Sequence, residues 1–378
     1  MEIMTLRYTE KSGWSRDLPV HLDSPQTLVL VFGGVALRDE IRPLQDLVDA
    51  LPQAIIVGCS TAGEIHGAEI DDGSVVVSVV RFERTRLRAT SVPITGVGGS
   101  YSAGQELASV LAGEDLRAIF VLSDGLQVNG SALLVGMNDH LDGVVVTGGL
   151  AGDGGAFEST WVISDGRLQS GTVAAVALYG TSIRVGHGSQ GGWDIFGPER
   201  VITRSRDNVL FELDGRPALE LYKRYLGDRA AELPASALLF PLAIRPPDSV
   251  DNGIVRTILA VDDGAGSMTF AGDMPEGWRA QLMRANFDRL VQGAFEAAQS
   301  TRADLDASAP CLAVAISCVG RRLVLGERAD DEVEAVFGSL PQGSELVGFY
   351  SYGEISPHTT GSCELHNQTM TVTTLQEG

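Results

Sequence analysis

One short pattern occurs twice in this chain. Gly58-Cys59-Ser60-Thr61-Ala62-Gly63-Glu64-Ile65 follows the apolar run Ala54-Ile55-Ile56-Val57. Near the other end, Gly348-Phe349-Tyr350-Ser351-Tyr352-Gly353-Glu354-Ile355 follows Glu345-Leu346-Val347. Each copy reads as a buried strand that breaks into a glycine loop carrying a glutamate. Glycine admits positive φ and lets another group approach the backbone closely. The repetition predicts an α/β protein of two related halves, with mixed β-sheets flanked by helices. Each half places a strand exit at the same point, where α/β folds tend to collect ligands. Ser60, Thr61 and Glu64 from the first loop, and Tyr352 and Glu354 from the second, are therefore expected near one ligand site. The two carboxylates are expected to accept backbone N–H groups and pin their loops.

The intervening sequence fits this class. Leu28–Phe32, Val75–Val80, Ala118–Leu122, Val144–Val146 and Val173–Leu178 are short, β-branched runs bounded by Gly or Asp. Leu37–Leu51, Ala103–Leu111 and Ser131–Leu141 read as helices, the last capped by Asn129. The runs 75–82 and 86–92 read as a hairpin, which makes the sheet mixed. A seam is expected between 205 and 235, with one domain over 25–215 and a second over 216–378. In the second, strands are expected near 237–244, 254–261, 267–271, 311–317 and 346–350. A long helix is expected from Pro275 to Ser300, and another from Asp331 to Leu340.

Charge narrows the partners. The 378 residues carry a formal net charge of −21, and the only lysines are Lys11 and Lys223. Such a surface repels nucleic acid and anionic lipid. The start of the chain lacks the charge and apolar pattern of a leader, and no apolar run approaches the length of a membrane span. A cytoplasmic protein with reduced, scattered thiols at Cys59, Cys311, Cys318 and Cys363 is the expectation. The six histidines form no zinc-hydrolase spacing. Cys59 and Ser60 are the candidate nucleophiles if the chain is an enzyme, with His66 as the only local base.

Three further stretches carry chemistry. Val146–Phe157 is glycine-rich but lacks the Gly-Lys-Ser/Thr of a phosphate loop and reads as a tight turn between strands. Asp124, after strand 118–122, reads as a loop-orienting carboxylate. Gly186-His187-Gly188 precedes Trp193 and Phe196, with Arg184, Arg200 and Arg204 around them. That imidazole suits a haem iron, with arginines for the propionates; it also suits a turn histidine beside a small apolar cluster. His366 and Asn367 precede the alternating strand Met370–Thr373 and either line the second glycine loop or start that strand.

Taken together, "VGCSTAGEI", "SDGL", "TGGLAGDGGAF" and "ELDGRPALELYKRYLG" resemble the FIST N-terminal domain. "FAGDMPEGWRAQLMRANFD", "ISCVGRRLVLG", "GFYSYGEISP" and "LHNQT" resemble the FIST C-terminal domain. The resemblance runs from about residue 25 to the end. It implies a bacterial intracellular sensory protein that binds a small ligand and takes part in signal transduction. The stretches around His187 and His366 look most like the haem-binding, nitric-oxide-sensing branch. That branch implies haem b, nitric oxide as ligand and a histidine kinase as partner, acted on in trans. His187 is the expected iron ligand, with His366 and His358 as alternatives. A haem-independent sensor of an amino-acid-like molecule is the other sensory reading.

Overall fold

The computed structural model describes every residue except 97, 234, 250–252, 307–308 and 358–360. The mixed α/β class expected from the sequence is present: four sheets, each with antiparallel pairs, alternate with helices. The repetition, however, goes one copy further than the two Gly-Glu-Ile loops. The chain builds one strand arrangement three times.

The first unit comprises β1 (Glu2–Thr9), β2 (Thr27–Gly33), α1 (Arg42–Ala50), β3 (Ile55–Ser60), β4 (Glu64–His66) and β5 (Val75–Arg81). The second comprises β6 (Arg86–Pro93), α2 (Gly99–Leu111), β7 (Leu116–Ser123), α3 (Gly130–Asn138), β8 (Val145–Leu150), β9 (Val162–Ser164) and β10 (Thr172–Tyr179). The third begins with β11 (Ile183–Gln190). After an insertion it resumes with α4 (Phe287–Ser300), β12 (Leu312–Cys318), α5 (Val319–Leu325), α6 (Ala329–Phe337), β13 (Glu345–Ser351), β14 (Gly353–Pro357) and β15 (Met370–Glu377).

In each unit two strands run parallel across a helical crossover: β2 with β3, β7 with β8, and β12 with β13. A return strand, β5, β10 or β15, pairs antiparallel with the first of them, and the leading strand pairs with the return strand. The short strand after each glycine loop leaves its own sheet. β4 pairs with β13 of the third unit, β14 with β8 of the second, and β9 with β3 of the first. The exchange is cyclic, so each sheet is completed by the next unit.

This arrangement explains the unbroken apolar runs. Both faces of the central strands are buried. Leu28, Leu30 and Phe32 of β2 meet Ala118, Phe120 and Leu122 of β7 and Leu312, Val314 and Ile316 of β12 in one core between the three sheets. The rings of Phe32 and Phe349 lie 4.8 Å apart there. The alternate residues, such as Val29 and Val31, face outward onto Leu44 and Leu47 of α1. One glycine per unit sits at the same register: Gly58 opposite Val31, Gly148 opposite Val121 and Gly348 opposite Ala315. At each, a Cβ would run into the carbonyl of the residue opposite.

The insertion between β11 and α4 forms its own sheet from strands that include Arg200–Arg206, Val209–Leu213, Leu242–Arg245, Ile254–Arg256, Ile258–Asp262, Ser267–Phe270 and Arg279–Arg284. Helix Ala218–Leu226 packs Leu219, Leu221 and Tyr222 into its core. Strands on both sides of residue 215 pair within this sheet, Val209 with Thr269 for example.

Several local expectations change. The runs 75–82 and 86–92 are not a hairpin, because β5 and β6 lie in different sheets. The expected helix from Pro275 begins as a strand, Arg279–Arg284, which buries Ala280 and Leu282 in the inserted core. Leu282 and Met283 fit both periodicities, and the sheet neighbours decide. The helix α4 starts at Phe287, where the Asn286 side chain accepts from the Arg289 N–H. The stretch 237–244 is a 3-10 turn, Ala235–Leu239, followed by a strand from Leu242. Residues 37–41 stay outside α1, which starts at Arg42 with Pro43 in its first turn. Asn129 does cap α3, accepting from the Ala132 N–H at 3.0 Å. No helix among the described residues is long and apolar enough to cross a membrane.

Candidate functional site

The strand exits of the three units converge. The Ala62 N–H donates to the Tyr350 carbonyl at 2.8 Å, the Tyr352 N–H to Leu150 at 3.2 Å, and the Gly152 N–H to Ser60 at 2.9 Å. Each donor lies four residues past its register glycine and each acceptor two residues past. The hydrogen bonds therefore close a ring about a pseudo-threefold axis. The two Gly-Glu-Ile loops are direct neighbours in this ring, which is why one chain carries them at both ends.

Glu64 and Glu354 occupy matching, fully buried positions. Glu64 accepts from the Thr61 hydroxyl and from Ser74, N–H at 2.8 Å and hydroxyl at 3.0 Å. Glu354 accepts from the Ser351 hydroxyl at 2.7 Å and from Thr369, N–H at 3.2 Å and hydroxyl at 2.9 Å. Burial pushes Glu64 up to about 7 and Glu354 up to about 8, and the hydroxyl and N–H donors offset only part of it. The folded chain thus holds both protons well above the ordinary glutamate value near 4.3. Their contribution to stability is complete below that value and is lost as pH rises toward 8, by at most about 1.4 kcal/mol per pH unit for each group. Glu354→Gln keeps a neutral side chain of the same shape. Urea melts between pH 5 and 8 should give the variant a shallower fall of stability than the parent; parallel curves would mean that Glu354 does not titrate in that window.

The second unit breaks the pattern, and the break creates the pocket. Where the other loops place Gly63 and Gly353, the second has Asp153. Asp153 accepts the N–H groups of Phe157, Glu158 and Ser159 at 2.7–2.8 Å, and also the Tyr352 hydroxyl. Burial raises its carboxyl, but Tyr352 and these N–H groups outweigh that and hold it below the usual range. Phe157 is thereby held at φ 55°, a left-handed conformation uncommon for an aromatic residue. Its ring stacks on Tyr352, centroids 4.4 Å apart and planes 13° from parallel.

Beside that stack lies a cavity of about 240 Å³. The core supplies Cys318, Val319, Gly320, Leu323 and Tyr352, and the second unit's loop supplies Phe157. The insertion supplies Leu238, Thr257, Ile258, Leu259 and Ala271. Leu323, Phe157 and Leu259 remain 55%, 46% and 44% exposed, so the mouth is apolar. The Thr257 hydroxyl is buried and has no hydrogen-bond partner. Burial first, then the nearby Glu354, pushes the Cys318 thiol up to about 12 and keeps it protonated.

Of the residues singled out in the sequence, Tyr352 lines this cavity. Ser60, Thr61, Glu64 and Glu354 support the ring beneath it: the Ser60 hydroxyl accepts from the Trp161 N–H at 3.1 Å. Cys59 is fully buried and its thiol is pushed up by that burial. His66 lies half-buried with its Nε2 3.3 Å from the Thr5 hydroxyl. This arrangement gives neither Cys59 nor Ser60 the exposure of a nucleophile. Asp124 does orient a loop, accepting the N–H groups of Leu126, Gln127 and Gly171 at 2.8–2.9 Å.

The residues expected to hold haem are not brought together. His187 is not in an open loop. It sits in β11, opposite Thr373, and its flanking glycines are covered by α4 and by Thr301 just after it. A Cβ on Gly186 would meet the Thr301 carbonyl, and one on Gly188 the Ala297 carbonyl. Those glycines serve close packing rather than movement. Trp193 is buried and donates to the Gln368 carbonyl at 2.8 Å, whereas Phe196 packs on the inserted sheet's core under Arg284. Arg184 is exposed on β11, Arg200 pairs with Asp214 and Arg204 with Glu212, each at 2.9 Å. His366 is buried with its Nε2 3.1 Å from the Ser356 carbonyl, and the Asn367 amide donates to the His366 carbonyl. His358 lies outside the described residues. This dispersed set does not fit a haem: among the described residues no histidine faces the apolar cavity, and the arginines are spread over separate elements.

Sequence reasoning missed Asp153, Phe157, Thr257, Cys318 and Leu323 as site residues. It also missed Arg322, whose guanidinium donates to the Ala62 carbonyl and grips Asp72 at 2.7 and 2.8 Å, tying the third unit to the first loop. An apolar Phe157 after five glycines was the one available signal.

Comparison with protein families gives two matches. The FIST N domain matches residues 27–216, and the FIST C domain matches residues 218–357. The boundary between them falls within the inserted sheet. No curated protein matches the chain.

Proposed function

This chain belongs to the FIST family, and from that premise we propose that it is a non-catalytic sensor whose small ligand occupies the cavity beside the Phe157–Tyr352 stack. The family is associated with signal transduction and with small-ligand sensing, and its domains are sensory rather than catalytic. The observation that carries the assignment is the composition of the cavity wall. One side belongs to the threefold core and the other to the insertion. A ligand touching both changes their relative free energy, which is what a sensor requires. Phe157, held in a left-handed conformation by Asp153, is the natural movable part of the mouth. The partner that reads this change is expected to be a signalling protein, with a histidine kinase as the first to test.

A neutral fluorescent probe, N-phenyl-1-naphthylamine, tests the cavity directly. Its emission should rise on binding the parent chain. Leu323→Trp, at a half-exposed position on the wall, should fill the mouth and reduce that rise at least tenfold while leaving the melting temperature within a few degrees. Equal enhancement in the two proteins would remove the cavity from the proposal. A haem titration separates the alternative sensory reading. A sharp Soret band with sub-micromolar affinity, lost in His187→Ala, would restore the haem and nitric-oxide assignment in place of this one.

A further inference from the structure

The walls of the cavity restrict what can enter it. Among the described residues, no carboxylate, guanidinium or ammonium group lines it. Its two titratable lining groups, the Cys318 thiol and the Tyr352 phenol, are both held protonated by burial. Glu354 lies near Cys318 and is itself hydrogen-bonded by Ser351 and Thr369, and Asp153 touches the lining at Tyr352. The Asp153 oxygens are already taken by the Tyr352 hydroxyl and three backbone N–H groups. A charged ligand would leave water without gaining a counter-ion, and that penalty amounts to several kcal/mol. An anion would in addition face the field of a chain with net charge −21. An amino-acid zwitterion meets the first objection at both of its charged ends.

The remaining wall is apolar and flat in one place. Phe157 and Tyr352 present a stacked pair whose ring faces and edges favour another planar ring. Val319, Leu323, Ile258, Leu259 and Leu238 supply aliphatic surface around it. Thr257 is the exception. Its residue lines the wall, yet its hydroxyl is buried without a partner. A buried, unpaired hydroxyl is unfavourable, and a ligand that pairs with it removes that cost. A 120° rotation about χ1 carries the hydroxyl to the place the methyl holds, and a ligand with a polar group at the wall would select the rotamer that pairs with it.

We infer that the cavity takes a neutral, planar aromatic molecule of one or two fused rings that carries a single hydroxyl or equivalent polar group paired with Thr257. This inference rests on the sensor reading of the same cavity and specifies its ligand. Four probes of one shape test it: 2-naphthol, naphthalene, 2-naphthoate and 2-naphthylmethylamine. Affinities are measured by saturation-transfer NMR or calorimetry at pH 7 on the full chain, the parent and two variants, Thr257→Val and Leu323→Trp.

The expected result is that 2-naphthol binds at least tenfold more tightly than the naphthoate or the amine. Thr257→Val should weaken 2-naphthol about tenfold and leave naphthalene within twofold. Leu323→Trp should abolish both, and Leu259→Trp is the second blocking variant should Leu323→Trp fold poorly. If the naphthoate or the amine binds as tightly as 2-naphthol, and the blocking variants remove that binding, the neutral class is wrong while the sensor cavity stands. If Thr257→Val weakens 2-naphthol and naphthalene equally, Thr257 is not the polar contact. If binding survives both blocking variants, the cavity is not the site, and this inference fails together with the reading it rests on.

Discussion

Arg321→Met should remove about 3–5 kcal/mol of stability, the usual cost of leaving one partner of a buried ion pair alone. Arg321 and Glu332 are both fully buried, and their charged groups meet at 2.7 and 3.0 Å. The rest of each group is occupied as well. Arg321 donates to the carbonyls of Gly191 and Leu290, and Glu332 accepts from the Ser317 and Tyr350 hydroxyls at 3.0 and 2.9 Å. One pair therefore ties together α5, α6, the last turn before the insertion, the start of α4 and both parallel strands of the third unit. Removing the guanidinium strands a carboxylate in an apolar interior and takes a donor from the carbonyls of Gly191 and Leu290. A domain's whole stability is only about 5–15 kcal/mol, so the variant should be partly unfolded at 37 °C. The double variant Arg321→Met/Glu332→Leu should recover part of the loss, since no charge is then left unpaired, but not the part owed to the carbonyls. Urea melts decide the matter: a single-variant loss under 1 kcal/mol would mean that the interior relaxes or admits water around Glu332. Because α5 lines the cavity and Tyr350 belongs to the loop ring, probe binding should fall with stability.

The sequence disclosed the local parts of this molecule and concealed the long-range ones. Runs such as Leu28–Phe32 and Ala118–Leu122 become strands because their β-branched and aromatic residues are buried on both faces, and Asn129 caps its helix through its own side chain. These features depend on neighbours within a few residues. The second unit stayed hidden as a copy because its loop reads Leu150-Ala151-Gly152-Asp153, without the hydroxyl and glutamate that mark the other two. What identifies it is Gly148, at the same register against a parallel neighbour as Gly58 and Gly348. Register is a property of two distant segments, and one glycine among 45 does not announce it. The cyclic exchange of β4, β9 and β14 is likewise non-local. The cavity gathers residues from 157, 238, 257–259, 271, 318–320, 323 and 352, and although several of these lie in the stretches quoted for the family resemblance, no local pattern brings them to one wall. The glycines beside His187 were visible, but their cause, the carbonyls of α4 and Thr301 pressing on β11, was not.

Gly348→Ala should cost at least about 3 kcal/mol, and Gly58→Ala and Gly148→Ala should cost similar amounts. Ordinary overpacking in a core costs about 1–3 kcal/mol because side chains can turn away. Here the obstacle is backbone. A Cβ on Gly348 would strike the Ala315 carbonyl, with the Ala315 carbonyl carbon and nitrogen only 2.8 and 3.0 Å away. Relief requires the parallel strands β12 and β13 to separate or twist, which breaks ladder hydrogen bonds on either side. At Gly148 the φ of 144° adds conformational strain for any residue with a Cβ. Gly155→Ala is the control: nothing lies within 4 Å of its Cβ position, so its effect should stay within about 1 kcal/mol. The comparison also tests the threefold account. Each register glycine lies two residues before a carbonyl of the ring and four before an N–H of the ring. Bending any one of the three strands therefore displaces the same ring and, through Tyr352, the stack that closes the cavity. Similar losses of stability at all three positions, each accompanied by weaker probe binding, are the expected result. A loss below 1 kcal/mol at Gly148 alone would show that the second unit tolerates a looser strand pair, and that the ring is held by the two glutamate loops without it.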